Sequence, residues 1–343
     1  MSRDVLLDQV GIVVIGRNEG DRLQHCLRSV VGRGVCVYVD SGSHDDSLLI
    51  AKGLKIDVIA LEARLPFTAA RARNAGVNYL VTHYPHLAWI QFVDGDCEMV
   101  DGWLDTALMA LQTHPQWAVV CGRRREEFPH QSVFNRLCDL EWNTPIGEAT
   151  ACGGDSMMRL TAFQEVGGFY APLIAGEEPE LCYRLRQQGW QVQRLAVDMT
   201  RHDAQMFSWG QWWRRTMRSG HAFAETASLY PDDLTLGDRR QLRSNLLWGG
   251  ILPLFIMASV YRAPWLSGLI SLTYLAYLVK IYRNQRQRNV PREDAWIYAV
   301  FCVLGRFPSL HGQLLSVCHR WLGKKTPLIE YSGLVKRKKS VPL

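Results

Sequence analysis

Nine cysteines are spread along the 343 residues, yet no two form a C-x-x-C pair and none has zinc-ligand spacing. That argues against a zinc ribbon or a disulfide framework and for reduced, cytosolic thiols. There is no internal repeat and no low-complexity tract, so a solenoid is excluded. The first nine residues carry Asp4 and Asp8 and no apolar stretch of signal-peptide length, and nothing there is expected to direct the body across a membrane. Acid is scarce at the other end. From Ser244 to Leu343 there are 3 Asp+Glu against 14 Lys+Arg. The whole chain has 33 acidic and 39 basic residues, which leaves 30 and 25 for residues 1–243. An acidic body with a basic, apolar tail argues against nucleic-acid binding, where the positive patch would lie on the folded domain. It suits a soluble domain with a membrane-seeking tail.

What is present begins with Trp89-Ile90-Gln91-Phe92-Val93 running into Asp94-Gly95-Asp96. The run reads as a buried strand ending in two carboxylates around a glycine. At the carboxyl end of a strand in an open α/β sheet, such a pair lies where ligands bind. Two hard oxygen donors there suit Mg²⁺ or Mn²⁺ carrying a diphosphate, although Asp-Gly is also a common hairpin turn. Strands are expected at residues 10–15, 35–39, 56–60, 87–93 and 117–121. Helices are expected at 21–31, 45–52, 67–82 and 102–112. This alternation indicates an α/β fold with a mostly parallel sheet covered on both faces.

Five further motifs carry a resemblance. They are Val13-Val14-Ile15-Gly16-Arg17-Asn18-Glu19; Val39-Asp40-Ser41-Gly42-Ser43-His44-Asp45-Asp46-Ser47; Arg71-Ala72-Arg73-Asn74-Ala75-Gly76; Gly153-Gly154-Asp155-Ser156-Met157-Met158-Arg159 with Val166-Gly167-Gly168-Phe169; and Gly176-Glu177-Glu178-Pro179-Glu180-Leu181. Together with Asp94-Gly95-Asp96 they resemble the family 2 glycosyltransferases, of the inverting and membrane-associated bacterial type, over about residues 1–230. The resemblance implies a GT-A (Rossmann-like) catalytic domain there, followed by membrane-associated helices in 231–343.

The same resemblance distributes roles. Gly16, Asn18, Glu19, Asp40, Gly42, Arg71, Asp94, Gly153, Gly154 and Asp155 would hold the nucleotide and donor sugar. Arg73, by contrast, reads equally well as a solvated surface charge. Asp96 would ligate the metal directly, with Asp94 nearer the sugar and the metal waters. His202, expected just past a strand at 191–196, either completes the metal shell or is an ordinary core or surface histidine. The family's E-D-x-D-L element implies that its second acid is the catalytic base. That position is Glu178, where Asp is usual, so Glu177 stays open as the base. Both acids also suit a helix N-terminus. Gln211, Arg214 and Arg215 resemble the Q-x-x-R-W acceptor motif of processive synthases, except that Arg215 stands where Trp belongs, which argues against polymerisation. The helix expected at 208–227 either covers the acceptor or anchors Trp209, Trp212 and Trp213 at a membrane interface.

Beyond Ser244, apolar runs at 245–261 and 265–279 flank Arg262-Ala263-Pro264, each at or below the length of a bilayer span. A hairpin over about 245–282, crossing or only dipping into the bilayer, is expected. Lys280, Arg283, Arg286, Arg288 and Arg292 should stay cytosolic, an in-plane amphipathic segment is expected at 295–322, and Lys336-Arg337-Lys338-Lys339 should also stay cytosolic.

The reading is therefore a metal-dependent (Mn or Mg) hexosyltransferase at the cytoplasmic face of the inner membrane. It would move sugar from a nucleotide-diphosphate donor, UDP-sugar favoured and GDP-sugar the alternative, to a lipid-linked or glycan acceptor in cell-surface polysaccharide or glycolipid assembly. Two other classes compete. A nucleotidyltransferase would need a basic Gly-rich loop, of which Gly16-Arg17-Asn18-Glu19-Gly20 is a poor version. A non-catalytic membrane-bound scaffold would not need Asp94, Asp96 and Glu178 together.

Overall fold

Residues 7–233 and 237–324 are described by the computed structural model of the chain, and they fall into two units. The first comprises residues up to 128 and 141–204; the second comprises 129–140 and the residues from 205 onward.

The first unit is built on one nine-stranded sheet: β1 Val10–Gly16, β2 Val35–Asp40, β3 Asp57–Ala60, β4 Trp89–Asp94, β5 Cys97–Met99, β6 Trp117–Glu126, β7 Gly147–Glu148, β8 Ser156–Arg159 and β9 Gln191–His202. The spatial order is β3-β2-β1-β4-β8-β6-β9-β5, with β7 also on β9. The β3-β2-β1-β4 half is parallel, while β8 runs antiparallel to both β4 and β6. Val10 and Ile12 to Val14 in β1 are fully buried, as are Ile90 to Val93 in β4, the pattern of strands covered on both faces. The covering helices are α1 Asp21–Val30, α2 Ser47–Gly53, α3 Ala69–His83, α4 Trp103–Thr113, the last two residues of α5 (Val133–Trp142), α6 Leu160–Glu165 and α7 Glu177–Gln187. Helix α3 approaches β1 so closely that a Cβ on Gly76 would strike the Val13 side chain.

Register brings the chemistry to one edge. Gly16 pairs with Asp40 and Ile15 with Asp94, so β1, β2 and β4 end level. Two strands run past their expected ends: β6 continues through Arg123-Arg124-Arg125 to Glu126, and β9 continues to His202. Neither extension is apolar. They are parallel partners, with bulges, and Arg125 is ion-paired to Asp198 across them, so strand pairing overrides the sequence pattern. His202 is consequently the last residue of a strand rather than a loop residue.

The second unit is helical: most of α5, α8 Trp209–Leu229, α9 Gly237–Leu246, a π-turn Leu247–Ile251, α10 Leu252–Ser259, α11 Pro264–Gln287, α12 Arg292–Leu304 and α13 Arg306–Trp321. Phe134, Trp209, Trp212 and Phe301 form an aromatic cluster with centroids 5.1–6.5 Å apart. The stretches Asp238–Ser259 and Pro264–Gln287, 22 and 24 residues, are long and apolar enough to cross a membrane. Only 11% and 6% of their apolar windows is buried, so neither is a core helix. They exceed the runs expected from apolarity alone because polar turns at both ends stay helical. The segment expected at 295–322 is two helices broken at Gly305. Lys336 to Lys339 lie outside the described residues.

Candidate active site

Strand β4 delivers Asp94, and the chain turns at Gly95, whose N–H donates to the Ile15 carbonyl (2.7 Å). Both Asp94 oxygens are claimed: Arg73 Nη2 donates to Oδ1 (2.8 Å) and Arg124 Nη2 to Oδ2 (3.0 Å). Beside it Asp155, fully buried, accepts from the Asp94 backbone N–H (2.9 Å), from Arg124 Nε (3.0 Å) and from the Thr200 hydroxyl (2.6 Å). A Cβ on Gly154 would sit 2.5 Å from Asp94 Oδ2 and 2.6 Å from Arg73 Nη2, so those side chains would have to shift to admit it.

Arg73 is the hub. It is buried, and its Nη1 reaches Glu177 Oε1 (2.8 Å) and Glu178 Oε1 (3.1 Å) on the first turn of α7, while its guanidinium lies 5.5 Å from the Phe169 ring centroid. Asn74 ties the same helix to the Val166–Phe169 turn, donating to and accepting from the Phe169 backbone (2.7 and 2.9 Å). Four carboxylates, Asp94, Asp155, Glu177 and Glu178, thus share two guanidiniums. Burial holds Asp94 up, but Arg73 and Arg124 outweigh it and its pKa is lowered. Of these acids it is Glu178 whose charged form is disfavoured. Burial and then the neighbouring Glu177 push it up to about 7, against the pull of Arg73. The third acid of that turn, Glu180, is paired with Arg184 (2.6 Å).

Asp96 lies apart from this cluster. Pairing of β5 with β9 sets Cys97 opposite His202, and His202 Nε2 comes within 3.1 Å of Asp96 Oδ2. Glu126 stands behind the ring, 3.7 Å from Nδ1. Burial disfavours the imidazolium, but Asp96 and Glu126 outweigh burial and raise His202 to about 9. Asp96 in turn, although half-buried, is held well below the usual carboxylate range by His202, Arg22 and Arg124. Glu19, ion-paired to Arg22, is raised to about 7 by burial and by Asp96.

Asp96 and His202 fit a divalent ion. Cis ligands about 2.1 Å from an octahedral ion lie about 3 Å apart, close to their present separation. A carboxylate oxygen with an imidazole nitrogen suits Mn²⁺ better than an all-oxygen Mg²⁺ shell. Cys97 is near, its Sγ 3.7 Å from Asp96 Oδ1, but burial raises its thiol well above the ordinary value and keeps it protonated. Asp94, bound by two arginines, is less free to serve as a ligand than Asp96.

At the end of β2, Asp40 is buried and caps its own turn. Its Oδ2 accepts from Gly42 and Ser43 N–H (2.9 Å each) and its Oδ1 from Tyr38 Oη (3.0 Å). Asn18, with φ 57°, joins the two loops by accepting from His44 N–H (2.7 Å), and its own N–H donates to Ser43 Oγ (2.9 Å). Gly16 and Gly42 lie at the same strand ends, and Gly153 opens the loop to Asp155. Arg71 does not reach the acids; its side chain donates to the Leu65 carbonyl (3.0 Å). In the second unit, Gln211 is buried and closes the start of α8, accepting from the Phe207 and Ser208 N–H groups (2.9 and 3.0 Å) and donating to the Gln205 carbonyl. Arg214 is exposed and Arg215 half-buried on the same helix.

Arg124 and Glu126 escaped the sequence reading. The signal was the odd run Arg123-Arg124-Arg125-Glu126 at a strand end, where neighbouring side chains face opposite sides of the sheet.

Residues 11–166 match the family described as Glycosyl transferase family 2. Two curated relatives, the pre-mycofactocin glycosyltransferases of Mycobacterium tuberculosis strains CDC 1551 / Oshkosh and ATCC 25618 / H37Rv, are each 26% identical over 239 residues, which is 65% of this chain. The match covers 48% of each relative, so the chain spans about half their length. Among solved structures, the mannosyltransferase PcManGT of Pyrobaculum calidifontis, in complex with GDP-Man and Mn²⁺, superposes with a TM-score of 0.55 at 14% identity. That likeness covers 90% of this chain and 87% of the other, and it marks the sheet as a GT-A fold.

Proposed function

Because residues 11–166 match the family described as Glycosyl transferase family 2, we propose that this protein transfers a sugar from a nucleotide-diphosphate donor to an acceptor hydroxyl, with inversion at the anomeric carbon. The observation that carries the reading is the pairing of two separate acid sites at one sheet edge. Asp96 with His202 forms one, and Glu178, held by Arg73 next to Asp94, forms the other.

Glu178 is the base in this reading. Its raised pKa keeps the carboxylate basic enough to take a proton from a hydroxyl near neutral pH, whereas Glu177 is more deeply buried against Arg73. Arg73 fixes both acids and Asp94 in one array. Gly153 leaves room for a sugar, since nothing lies within 4 Å of where its Cβ would stand. A divalent ion held by Asp96 and His202, Mn²⁺ by the donor set, would offset charge on the departing diphosphate. One base and a single displacement imply inversion. A UDP-sugar is the favoured donor and a GDP-sugar the alternative.

The acceptor class follows from the hairpin. At 1.5 Å per residue its helices are about 33 and 36 Å long, against about 30 Å of hydrocarbon. Arg239, Arg240 and Arg243 lie in the opening turns of the first, and Arg283, Arg286, Arg288 and Arg292 end or follow the second, while the turn carries Arg262 alone. That asymmetry supports a hairpin whose two ends lie on the cytoplasmic face of the inner membrane. A lipid-linked or glycan acceptor of cell-surface assembly is then within reach.

The test is thermal shift of the purified protein with UDP-glucose, UDP-N-acetylglucosamine and GDP-mannose in Mn²⁺. One of them should raise the melting temperature, since a donor at about 100 times its Kd adds about 2.7 kcal/mol. EDTA and Asp96→Ala should each abolish sugar transfer while the protein stays folded. Absence of a shift with all three donors overturns the transferase reading, and full turnover in EDTA overturns the metal assignment.

A further inference from the structure

Trp142 belongs to none of the motifs considered so far, yet it sits in the site. It is the last residue of α5, and residues 144–146 after it are exposed. Its ring meets the His202 ring edge-on, with centroids 4.7 Å apart and planes at 74°. The Arg124 guanidinium carbon is 5.6 Å from the Trp142 ring centroid. Through those neighbours the indole stands next to Asp96 on one side and to Asp94 and Asp155 on the other. The first unit buries several of its large aromatics, with Trp103 1% exposed, Phe92 0% and Phe169 3%, while Phe128 and Tyr170 stand 42% and 43% exposed. Trp142 keeps a partly open ring although it is surrounded by charge.

We propose that Trp142 is a binding residue for the donor sugar, its indole packing against the apolar C–H face of the pyranose. This rests on the nucleotide-sugar reading above and deepens it. An aromatic ring offers a large, rigid surface with few torsions to freeze, and its negative face attracts the polarised C–H groups of a sugar as it attracts cations. Position selects the donor over the acceptor. The ring touches one of the two residues that fit the metal, and it also touches the arginine that binds Asp94 and Asp155. The sugar is joined directly to the diphosphate that this end of the site would hold, so the hexose is the first ring-shaped group outward from it. The indole also helps to fix the imidazole of His202, and the experiment separates that positioning effect from stacking.

Of UDP-glucose, UDP-N-acetylglucosamine and GDP-mannose, the one giving the largest thermal shift is titrated calorimetrically into full-length wild type, Trp142→Ala and Trp142→Phe in Mn²⁺. Its nucleoside diphosphate, UDP or GDP, is titrated in parallel. Stacking predicts that Trp142→Ala binds the nucleotide sugar about five- to ten-fold more weakly, binds the bare diphosphate as wild type does, and that Trp142→Phe recovers most of the loss. Equal weakening of both ligands means that the indole only supports His202, and it overturns the proposal. So does unchanged affinity for the nucleotide sugar in Trp142→Ala. If Trp142→Ala fails to fold, Trp142→Leu, apolar and of helix-compatible shape, takes its place with the same expected split. Wild type that binds none of the nucleotide sugars overturns the transferase reading and this inference with it, whereas binding that is indifferent to Trp142 overturns this inference alone.

Discussion

Glu178 and Glu177 are adjacent, chemically alike and bound to the same guanidinium, yet their environments give opposite expectations. Folding raises Glu178 from 4.5 to about 7, so the native state holds its proton more tightly than the unfolded chain. Its contribution is fully present below about pH 4.5 and is lost as pH rises through about 7. Glu178→Gln should therefore melt higher than wild type at pH 8 and no higher at pH 4, while Arg73 keeps Asp94 and Glu177 as partners. The same variant should lose about 10²- to 10⁴-fold in transfer rate with little change in donor affinity. Wild-type turnover should rise with pH through about 7 as the base ionises. Glu177→Gln should instead lose stability, because it breaks a buried pair with Arg73. If that variant is the inactive one and Glu178→Gln turns over normally, the base is Glu177. Gly154 offers a second residue-scale test. Alanine there would wedge Asp94 from Arg73 and should cost about 1–3 kcal/mol in a urea melt, along with activity. Gly153→Ala should leave stability nearly unchanged, since nothing lies within 4 Å of its Cβ.

Helix crossing in the second unit depends on the absence of side chains. A Cβ on Gly220 of α8 would strike the Ser309 carbonyl of α13, and one on Gly312 of α13 would strike the Met217 carbonyl of α8. The two backbones are in contact, so Gly312→Ala must force the helices apart or bend them. It should cost about 1–3 kcal/mol in a denaturant melt of the detergent-solubilised protein. Gly268 in α11 has nothing within 4 Å, and Gly268→Ala should be neutral or stabilising by about 0.5–1 kcal/mol through helix propensity alone. Equal effects from the two substitutions would show that the crossing is looser than its geometry states. Where the hairpin meets the rest of the unit, Arg306 donates to Gln241, Asn245 and Tyr277 (2.8–3.1 Å), a polar layer beyond the apolar stretches. The hydroxyls of Ser259 and Ser267 pair at 2.7 Å beside the turn.

For the whole molecule, a simple truncation at Arg243 is a poor test of membrane attachment. It removes Phe301 from the cluster with Phe134, Trp209 and Trp212 and so damages the second unit itself. Substituting exposed hairpin residues is cleaner. Leu254, Phe255 and Leu272 are 57–61% exposed, and a triple change to lysine should move the protein from the alkali-washed membrane fraction to the soluble one. Nucleotide binding should survive, because the sheet and its acids are untouched. A triple variant that stays with the membrane pellet would place the anchor outside the hairpin.

The α/β class was legible because buried parallel strands must be apolar on both faces, and residues 10–15 and 87–93 are. The GT-A identity rested on Asp94-Gly95-Asp96, Gly153-Gly154 and Glu177-Glu178, which are short and local enough to survive as text. Strand ends in charged sequence were not legible. Arg123 to Glu126 and Val197 to His202 are extended because they pair with each other, and pairing between residues about 75 apart leaves no local pattern. The same limit applied to Arg71 and Arg73. Two positions apart on a helix they lie on nearly opposite faces, and only docking of α3 on the sheet decided that Arg73 meets the acids while Arg71 holds a loop. Asp96 with His202, and Trp142 against both His202 and Arg124, are contacts between distant segments. Residue type showed which side chains could do chemistry; the order and register of the strands decided which of them stand within 3 to 6 Å of one another.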